Sequence, residues 1–371
     1  MGIDVEGLER ELTATWAEMT RERGADGEAG VTRACALNLV VCARSAEERG
    51  GIEELLTEVF ERNPCRAIVL IADASKAEPS MVAYVSTRCA LSSKGAKQVC
   101  GEQITIEAAG GAVASAASVV SPLLVPDVPV FLWWKDIPHY EDKLFQRLVE
   151  TADRVVIDSA TFDAPHADLR RLASLIGERG DLLALTDLNW GRLTSWRTLV
   201  ASFWDAEEYR PLLARASSVR ILYERPSLAP SEIAPKALLA LGWLASRLGW
   251  EVLPDSEFDG DAARFNFKVE GGRNLSAELR PAERDECGGA LRRFSIEGDG
   301  AEFFVELKAC GTKLETGTRI GVQERAVGRV LAYEAASEGR RLSRELSFLA
   351  RDRVYEAAVA YAARLLDSLK T

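Results

Sequence analysis

Two apolar runs near the middle of the chain predict buried strands that a helix connects. Val128–Trp134 (VPVFLWW) and Arg154–Ser159 (RVVIDS) are mainly apolar and show no polar alternation. Runs of this kind are typical of strands that are covered on both faces, as in a parallel sheet. Between them, apolar residues recur at intervals of three and four from Tyr140 to Ala152, which indicates an amphipathic helix. The pattern therefore predicts a β–α–β unit at the centre of the protein.

Alternating strands and helices are also predicted on both sides of this unit. Before it, the pattern predicts helices at Val5–Arg23, Ile52–Phe60 and Val113–Leu124, and strands at Ala34–Cys42, Arg66–Ala72, Met81–Leu91 and Val99–Ala108. After it, helices are expected to begin near Pro165, Thr194 and Pro235, and strands are expected at Leu182–Thr186 and Val219–Tyr223. This alternation is typical of an α/β fold with a mainly parallel sheet.

The pattern changes to a period of two near residue 265. Phe265, Phe267 and Val269 alternate with polar residues, and glycine-containing turns separate further alternating segments up to residue 320. We read 265–320 as an antiparallel meander and Arg340–Leu369 as one long closing helix. The fold prediction is therefore two α/β domains, with residues 1–163 forming the N-terminal domain and 164–371 a C-terminal domain that holds the meander and the closing helix.

Composition narrows the class of protein. The 371 residues are 47% hydrophobic and 28% charged, and the net charge of −11 argues against general nucleic-acid binding, because phosphates need basic partners. Prolines interrupt the most apolar window, Ala112–Trp134, so we expect no membrane span. The start of the sequence lacks the pattern of a signal peptide. The seven cysteines form no CxxC, and we expect reduced cysteines in a cytoplasmic protein, with a redox switch as the alternative.

Motifs of common enzymes are missing from the sequence. No GxGxxG follows a predicted strand, and neither GxxxxGK[ST] nor GxSxG occurs. The two histidines, His139 and His166, are too far apart for a zinc-binding HExxH, and each falls near a predicted helix start. We therefore predict neither a cofactor nor a metal site.

Polar side chains follow three predicted strands and permit two interpretations. The carboxyl ends of parallel strands lie at one edge of a sheet, so these side chains could converge on a rim and support acid–base chemistry or phosphate binding, as in a sugar-phosphate isomerase or lactonase. Alternatively, the carboxylates cap the following helices. The side chains are Lys135, Asp136, Asp158, Ser159, Asp187 and Asn189.

Tryptophan and arginine are concentrated in places that could contact another protein. Core packing is the default role for these tryptophans, but tryptophan beside arginine is also common in binding hot spots. Between Arg319 and Arg353 there are eight arginines and five acidic residues, which indicates either a solvated helix face or a surface for an acidic partner or phosphorylated metabolite. The tryptophan set comprises Trp133, Trp134, Trp190, Trp196 and Trp204, with Arg192 and Arg197 nearby.

Several phrases resemble the OpcA family of glucose-6-phosphate dehydrogenase assembly proteins. They are LNLVV (Leu37–Val41), NPCRAIVL (Asn63–Leu70), CGEQITIE (Cys100–Glu107), LLVPDVPVFLWW (Leu123–Trp134), ADRVVIDSATF (Ala152–Phe162), DLNWGRLTSWR (Asp187–Arg197) and DRVYEAA (Asp352–Ala358). The resemblance implies a non-catalytic cytoplasmic protein that binds glucose-6-phosphate dehydrogenase as an assembly factor or allosteric activator.

This resemblance turns the polar and aromatic candidates into candidate partner-binding residues. They are Trp133, Trp134, Lys135, Asp158, Asp187, Asn189, Trp190, Arg192, Trp196, Arg197, Arg340, Arg341 and Arg344. A sugar phosphate as an additional effector remains an open hypothesis, and so does the enzymatic alternative.

Overall fold

The structure is a computed structural model that describes residues 3–25, 32–33, 35–91, 98–139, 141–180, 183–282, 291–308, 311–321, 323–325, 328–333 and 336–370. The strands are β1 Thr32–Arg33, β2 Leu37–Ala43, β3 Cys65–Asp73, β4 Ser80–Leu91, β5 Gln98–Ala109, β6 Val130–Trp134, β7 Arg154–Ile157, β8 Leu185–Asp187, β9 Ser218–Tyr223, β10 Glu251–Val252, β11 Glu257–Phe258, β12 Ala263–Lys268, β13 Asn274–Pro281, β14 Leu291–Gly298, β15 Ala301–Lys308, β16 Lys313–Ile320, β17 Gln323–Arg325 and β18 Val330–Ala332. The α-helices are α1 Val5–Ala25, α2 Arg49–Phe60, α3 Ala116–Val120, α4 Lys143–Val149, α5 Pro165–Arg179, α6 Leu188–Arg192, α7 Thr194–Ser202, α8 Arg210–Ala214, α9 Pro235–Leu248, α10 Glu338–Glu345 and α11 Arg353–Ser368. In the described ranges no helix combines the length and apolar character that crossing a bilayer requires.

The first sheet is mainly parallel and doubly wound. Its strand order is β1-β5-β3-β2-β6-β7-β8, and β4 pairs antiparallel with β5. The chain moves outwards from β2 through β3 to β5, and then continues on the other side of β2 with β6, β7 and β8. The winding direction therefore reverses between β2 and β6, as in folds that bind ligands at such a switch point. The α/β fold with a mainly parallel first sheet is confirmed.

Strands β2, β3 and β6 explain the continuous apolar runs in the sequence. Every residue of β2 and β6 is buried, and so is every residue of β3 except Asp73 at its end. The central helix α4 is shorter than the predicted Tyr140–Ala152 segment, and Tyr140 itself lies outside the described residues. Its N-cap is Asp142, whose side chain accepts hydrogen bonds from the Leu144 and Phe145 amides.

One buried charge is balanced inside this part of the fold. Arg66 of β3 is only 5% exposed, and its Nε donates to Glu102 Oε2 at 2.8 Å. Glu9 of α1 pairs with the same guanidinium, and Trp16 Nε1 donates to the other Glu102 oxygen at 2.8 Å. Because a buried charge is costly unless it is paired, this group fixes α1 against β3 and β5.

The chain forms two compact units, each made of three segments. Unit 1 comprises Met1–Ile157, Arg179–Thr186 and Ser337–Arg351. Unit 2 comprises Asp158–Glu178, Asp187–Ala336 and Asp352–Thr371. The sequence pattern predicts a single domain boundary near residue 163. In the structure, each of the two units is built from segments that are distant in sequence.

The second sheet contains the predicted meander with one additional strand inside it. Its order is β10-β12-β13-β9-β14-β15-β16-β17, while β11 pairs with β12 and β18 pairs with β16. Strand β9 lies between β13 and β14, parallel to the former and antiparallel to the latter. Asp299 and Gly300 both have positive φ and form the tight turn from β14 to β15, as two-residue hairpins require. The prediction of a continuous antiparallel meander is therefore wrong at β9.

A closing helix is present as α11, but the predicted Arg340–Leu369 segment is not continuous, because the structure divides it into α10 and α11. The interruption contains neither proline nor glycine, so the apolar periodicity gave no sign of it. Asp352 begins α11, where its side chain accepts from the Val354 and Tyr355 amides at 3.0 and 2.9 Å. In unit 2, α11 packs closely on α9 at Gly242, where an added Cβ would lie 2.5 Å from Ala358 O.

The cysteines differ from the expectation that all of them are reduced. Cys35, Cys42 and Cys65 are free, and burial raises the pKa of the Cys42 thiol to about 12. Cys100 is disulfide-bonded, and the residue opposite it in the pairing of β4 and β5 is Cys89. The expectation is therefore wrong for Cys100. Cys287 and Cys310 lie outside the described residues.

Candidate functional site

The switch point of the first sheet contains charged side chains that bind one another. Arg44 follows β2, and its Nε donates to Asp136 Oδ2 at 3.0 Å, while a terminal nitrogen donates to Asp142. The guanidinium also lies 4.7 Å from the ring centroid of Trp134 at the end of β6. Arg44 therefore lies across the carboxyl ends of the two strands where the winding reverses.

The Arg44 guanidinium stabilises the ionised form of Asp142. Partial burial raises the pKa of this carboxyl, but the hydrogen bond and the charge of Arg44 outweigh the burial. The amides of Phe145 and Leu144 add to the effect, so the pKa of Asp142 lies below its usual value. Asp142 thus joins the start of α4 to the end of β2.

The backbone amides after β2 are also occupied by the protein itself. Glu48 Oε1 accepts from the Arg44 and Ser45 amides at 3.2 and 3.3 Å, and Ser45 Oγ accepts from the Glu47 amide. In dinucleotide-binding folds a glycine-rich turn leaves such amides free for the pyrophosphate. Here a carboxylate already occupies them, and the turn reads Ala43-Arg44-Ser45-Ala46 without glycine. These residues do not fit a dinucleotide.

The adjacent tryptophans of β6 are both core residues. Trp133 and Trp134 are each 1% exposed, so core packing is the correct interpretation for both. Lys135 is the accessible residue of this group, with its Nζ 4.3 Å from the centroid of the Trp133 ring and 3.7 Å from the carboxylate of Glu338. Lys135 therefore has partners within unit 1.

A buried polar network in unit 2 is organised around Asp187, which is the last residue of β8 and is fully buried. One carboxylate oxygen accepts from the Ser159 amide at 2.9 Å and the Asn189 amide at 2.8 Å. The other accepts from Ser159 Oγ at 2.6 Å and from the Tyr355 hydroxyl at 3.4 Å. Asn189 Nδ2 donates in turn to Ser159 Oγ at 3.0 Å. Each carboxylate oxygen of Asp187 thus has two donors inside the protein.

Burial has a clear effect on the protonation of this network. It raises the pKa of Asp187 to about 6, and the nearby charge of Asp158 acts in the same direction. The hydrogen bonds from Ser159 and Asn189 lower that pKa and offset part of the shift. Burial, followed by the charge of Asp187, also raises the pKa of Tyr355 well above its usual value.

Asp158 is an ion-pair partner and a helix cap. Arg192 donates to both of its carboxylate oxygens, at 2.6 and 2.7 Å, and the Ala160 amide donates to Oδ1 at 3.0 Å. Asp187 likewise caps α6 through the Asn189 amide. The capping interpretation of these two carboxylates is confirmed. The catalytic alternative required them to open onto one ligand pocket, and their burial and internal partners contradict that requirement.

Trp190 connects the same network to the start of α11. Its Nε1 donates to Asp352 Oδ2 at 2.8 Å, and its ring centroid lies 5.6 Å from that of Tyr355. The guanidinium of Arg197 stacks 3.6 Å from the centroid of the Trp190 ring. Trp190 and Trp196 are 3% and 1% exposed, so these two indoles do not form an exposed contact surface.

The network explains three of the sequence phrases together. Asp158 and Ser159 come from ADRVVIDSATF, Asp187 and Trp190 from DLNWGRLTSWR, and Tyr355 from DRVYEAA. These segments are far apart in the chain, yet they meet through the contacts described above. Their residue types serve a packed interior with satisfied polar groups.

The remaining strand-end and histidine candidates are also held within their own units. Lys135 pairs with Glu338, and Asp136 pairs with Arg44. Neither residue belongs to the Asp187 network. His166 accepts a hydrogen bond at Nε2 from the Ile233 amide at 2.8 Å, and burial lowers its pKa although Glu232 opposes this. Among the described residues, no three His, Cys, Asp or Glu side chains are grouped in a way that could hold a metal ion.

The predicted arginine-rich region divides into parts with different surroundings. On α10, Arg340 and Arg344 are exposed and Arg341 is half-buried. Arg319 instead lies on β16 and pairs with Glu302 at 2.8 Å. The α10 portion therefore offers two exposed arginines that make no ion pair with the described part of the chain.

Sequence reasoning missed Arg44, Arg66 and Arg154. Arg44 binds residues that are 92 and 98 positions away, and Arg154 donates to carbonyls that are 194 and 196 positions away. The only sequence signal for a buried, paired arginine was its position inside an apolar run, and this signal applied to Arg66 and Arg154. Such an arginine must be paired if the strand is buried.

Two family models match most of the chain. One describes the N-terminal domain of the glucose-6-phosphate dehydrogenase subunit, and it matches residues 57–174. The other describes the C-terminal domain of the same subunit, and it matches residues 183–359. Together they match parts of both units, including the Arg66 strand and the Asp187 network.

Curated relatives carry the name OpcA, a protein of the OxPP cycle. The Nostoc punctiforme protein is 36% identical over 232 residues, which are 62% of this chain and 48% of the relative. The Synechocystis protein is 31% identical over 324 residues, which are 82% of this chain and 64% of the relative. The chain therefore matches between about half and two thirds of the length of these relatives.

Solved structures resemble this chain only weakly, at low sequence identity. A 3-ketoreductase from Actinomadura kijaniata, KijD10, has a TM-score of 0.49 and 12% identity, with 90% of this chain and 96% of that chain covered. The transcriptional regulator Gal80p of Kluyveromyces lactis also has a TM-score of 0.49, with 11% identity and 93% of each chain covered. Neither likeness bears on the chemistry of this chain.

Proposed function

Because this chain belongs to the OpcA family of glucose-6-phosphate dehydrogenase assembly proteins, we propose that it binds that dehydrogenase in the cytoplasm and promotes its assembly or its activity without catalysing a reaction itself. The two family models, which carry the name of the dehydrogenase, are the observation on which this proposal depends. Allosteric activation is the finer form of the proposal. In that form the protein binds the active state of the enzyme more tightly than the inactive state.

Two features of the structure support a binding role over a catalytic one. The switch-point amides, where a dinucleotide would bind, are occupied by Glu48, and Arg44 lies across the adjoining strand ends. Asp158 and Asp187, the carboxylates of the enzymatic alternative, are buried and paired or capping. Neither site leaves a charged group free to act on a substrate.

The exposed and half-buried arginines and lysine of the candidate set are the proposed contact residues. Lys135, Arg340, Arg341 and Arg344 belong to unit 1, and Arg192 and Arg197 belong to unit 2. The buried candidates would act indirectly by keeping these segments in place; they are Trp133, Trp134, Asp158, Asp187, Asn189, Trp190 and Trp196. Binding of a sugar phosphate as an additional effector is a separate hypothesis, and calorimetry with glucose 6-phosphate tests it.

Light scattering of purified proteins tests the binding claim. We expect a mixture of this protein with its own organism's glucose-6-phosphate dehydrogenase to show a mass larger than either component alone. Bovine serum albumin in place of this chain is the control for non-specific association. If the mixture contains only the masses of the separate proteins at micromolar concentrations, the proposed function is wrong.

A further inference from the structure

An exposed apolar pair follows α10 in unit 1. Phe348 and Leu349 are 56% and 50% exposed, although large apolar side chains of this kind are usually buried. They lie between Leu346, which is 4% exposed, and the start of α11, in a short stretch that we call the 347–350 loop. A single exposed apolar residue is ordinary, whereas an exposed apolar pair that includes an aromatic ring and follows exposed arginines has the composition of a contact surface.

A buried arginine holds this loop in one conformation. Arg154, at the start of β7, is 3% exposed and donates to the carbonyl oxygens of Phe348, at 3.1 Å, and Ala350. Its guanidinium also lies 3.8 Å from the Glu345 carboxylate, which accepts from Thr186 Oγ1 at 2.6 Å. Burial of the Arg154 charge costs free energy, which its hydrogen bonds offset. Because those bonds hold two carbonyl oxygens of the loop in place, the loop is a rigid support for its side chains.

The loop is continued by the exposed face of α10. Arg340 and Arg344 are both exposed, and they precede Phe348 at intervals of four residues. On α10 this spacing places Arg340 and Arg344 on one face, and Phe348 follows in the loop after the helix ends at Glu345. The opposite face is anchored in unit 1, because Leu342 is fully buried and an added Cβ at Gly339 would lie 2.9 Å from the Leu55 carbonyl oxygen of α2. The surface therefore combines two cations with an aromatic and an aliphatic side chain on a fixed support.

We propose that Arg340, Arg344, Phe348 and Leu349 form the docking surface for the dehydrogenase, and this inference rests on the proposed function. The complementary surface on the enzyme is an apolar socket for Phe348 and Leu349, bordered by carboxylates that pair with the two arginines. Charge selects this partner chemistry, because the patch is cationic in a chain whose net charge is −11. Aromatic and arginine side chains are also the residues most often responsible for binding energy in interfaces.

The test compares matched exposed pairs. Phe348→Ser/Leu349→Ser removes the proposed anchor, and Val330→Ser/Leu331→Ser removes another exposed apolar pair, 51% and 40% exposed, in unit 2. Titration calorimetry with the purified dehydrogenase should give a Kd at least about a hundredfold weaker for the first variant and an unchanged Kd for the second. Circular dichroism should give the wild-type spectrum for both variants, since all four side chains are exposed.

Charge reversal tests the cationic part separately. Arg340→Glu/Arg344→Glu should weaken the Kd by about tenfold or more and reduce its dependence on salt. Arg62→Glu, at an exposed arginine after α2, is the control and should leave both unchanged.

The outcomes distinguish this inference from the proposed function. If the wild-type chain binds the dehydrogenase and Phe348→Ser/Leu349→Ser binds equally well, the docking surface is wrong while the proposed function stands. The same conclusion follows if that variant changes only the self-association of this chain in light scattering. If the wild-type chain does not bind the enzyme at all, both are wrong.

Discussion

Asp187→Asn should change how the stability of unit 2 depends on pH. The pKa of Asp187 is raised from 3.8 to about 6 in the folded protein, chiefly by burial. The folded state therefore holds a proton that the unfolded state has already released between these two values. A pKa difference of one corresponds to about 1.4 kcal/mol, so the stability that Asp187 contributes is fully present below pH 4 and decreases by about 3 kcal/mol as the pH rises above 6.

The asparagine variant keeps the shape and removes the titration. Its Oδ1 can still accept from the Ser159 and Asn189 amides, and the Ser159 hydroxyl can rotate to accept from the new amide group. Urea unfolding followed by tryptophan fluorescence between pH 4 and 7 would give the difference in unfolding free energy between wild type and variant. We expect wild type to lose about 3 kcal/mol relative to the variant across this range. Asp255→Asn, at an exposed carboxylate, is the control, and a constant difference for Asp187→Asn would refute the account of the network.

Two further predictions concern packing and buried charge. Gly242→Ala should destabilise the protein by about 1–3 kcal/mol, because the new Cβ would meet Ala358 O at 2.5 Å, whereas Gly177→Ala in α5 meets nothing within 4 Å and should stabilise it by up to about 1 kcal/mol. Thermal unfolding of the two variants would show this order, and the reverse order would contradict the close approach of α9 and α11. Arg66→Leu should destabilise the protein by about 3–5 kcal/mol because Glu102 is left buried and unpaired, and adding Glu102→Leu should restore part of the loss. Equal urea midpoints for wild type and Arg66→Leu would contradict this role of the ion pair.

Local pattern predicted the elements better than their arrangement. The strands β2, β3 and β6 were readable because strands that are buried on both faces are continuous apolar runs. The insertion of β9 into the meander was not readable, because strand pairing between distant segments leaves no local signal. The interruption between α10 and α11 was missed for a related reason, since Arg154 stabilises it from 194 residues away.

The candidate site was predictable as a set of residues but not in its role. The strand-end carboxylates were visible in the sequence, and capping was one of the two interpretations. In the fold, Arg192 donates to Asp158 and the Tyr355 hydroxyl donates to Asp187. The sequence alone does not indicate either pairing. The sequence did not indicate which tryptophan side chains are exposed, because residue type alone does not distinguish a core indole from a surface one. Phe348 and Leu349 were overlooked because the predicted helix ran without a break from Arg340 to Leu369 and so included them.

The central claim is that this chain acts on glucose-6-phosphate dehydrogenase and not on a small substrate. The most direct measurement is NADPH formation by the purified dehydrogenase at subsaturating glucose 6-phosphate while this protein is added in increasing amounts. We predict a saturable rise in rate that stops at a fixed ratio of the two chains, and no turnover when this protein is present alone. A rate that does not change up to excess of this protein, or NADPH formed by this chain without the enzyme, would contradict the claim.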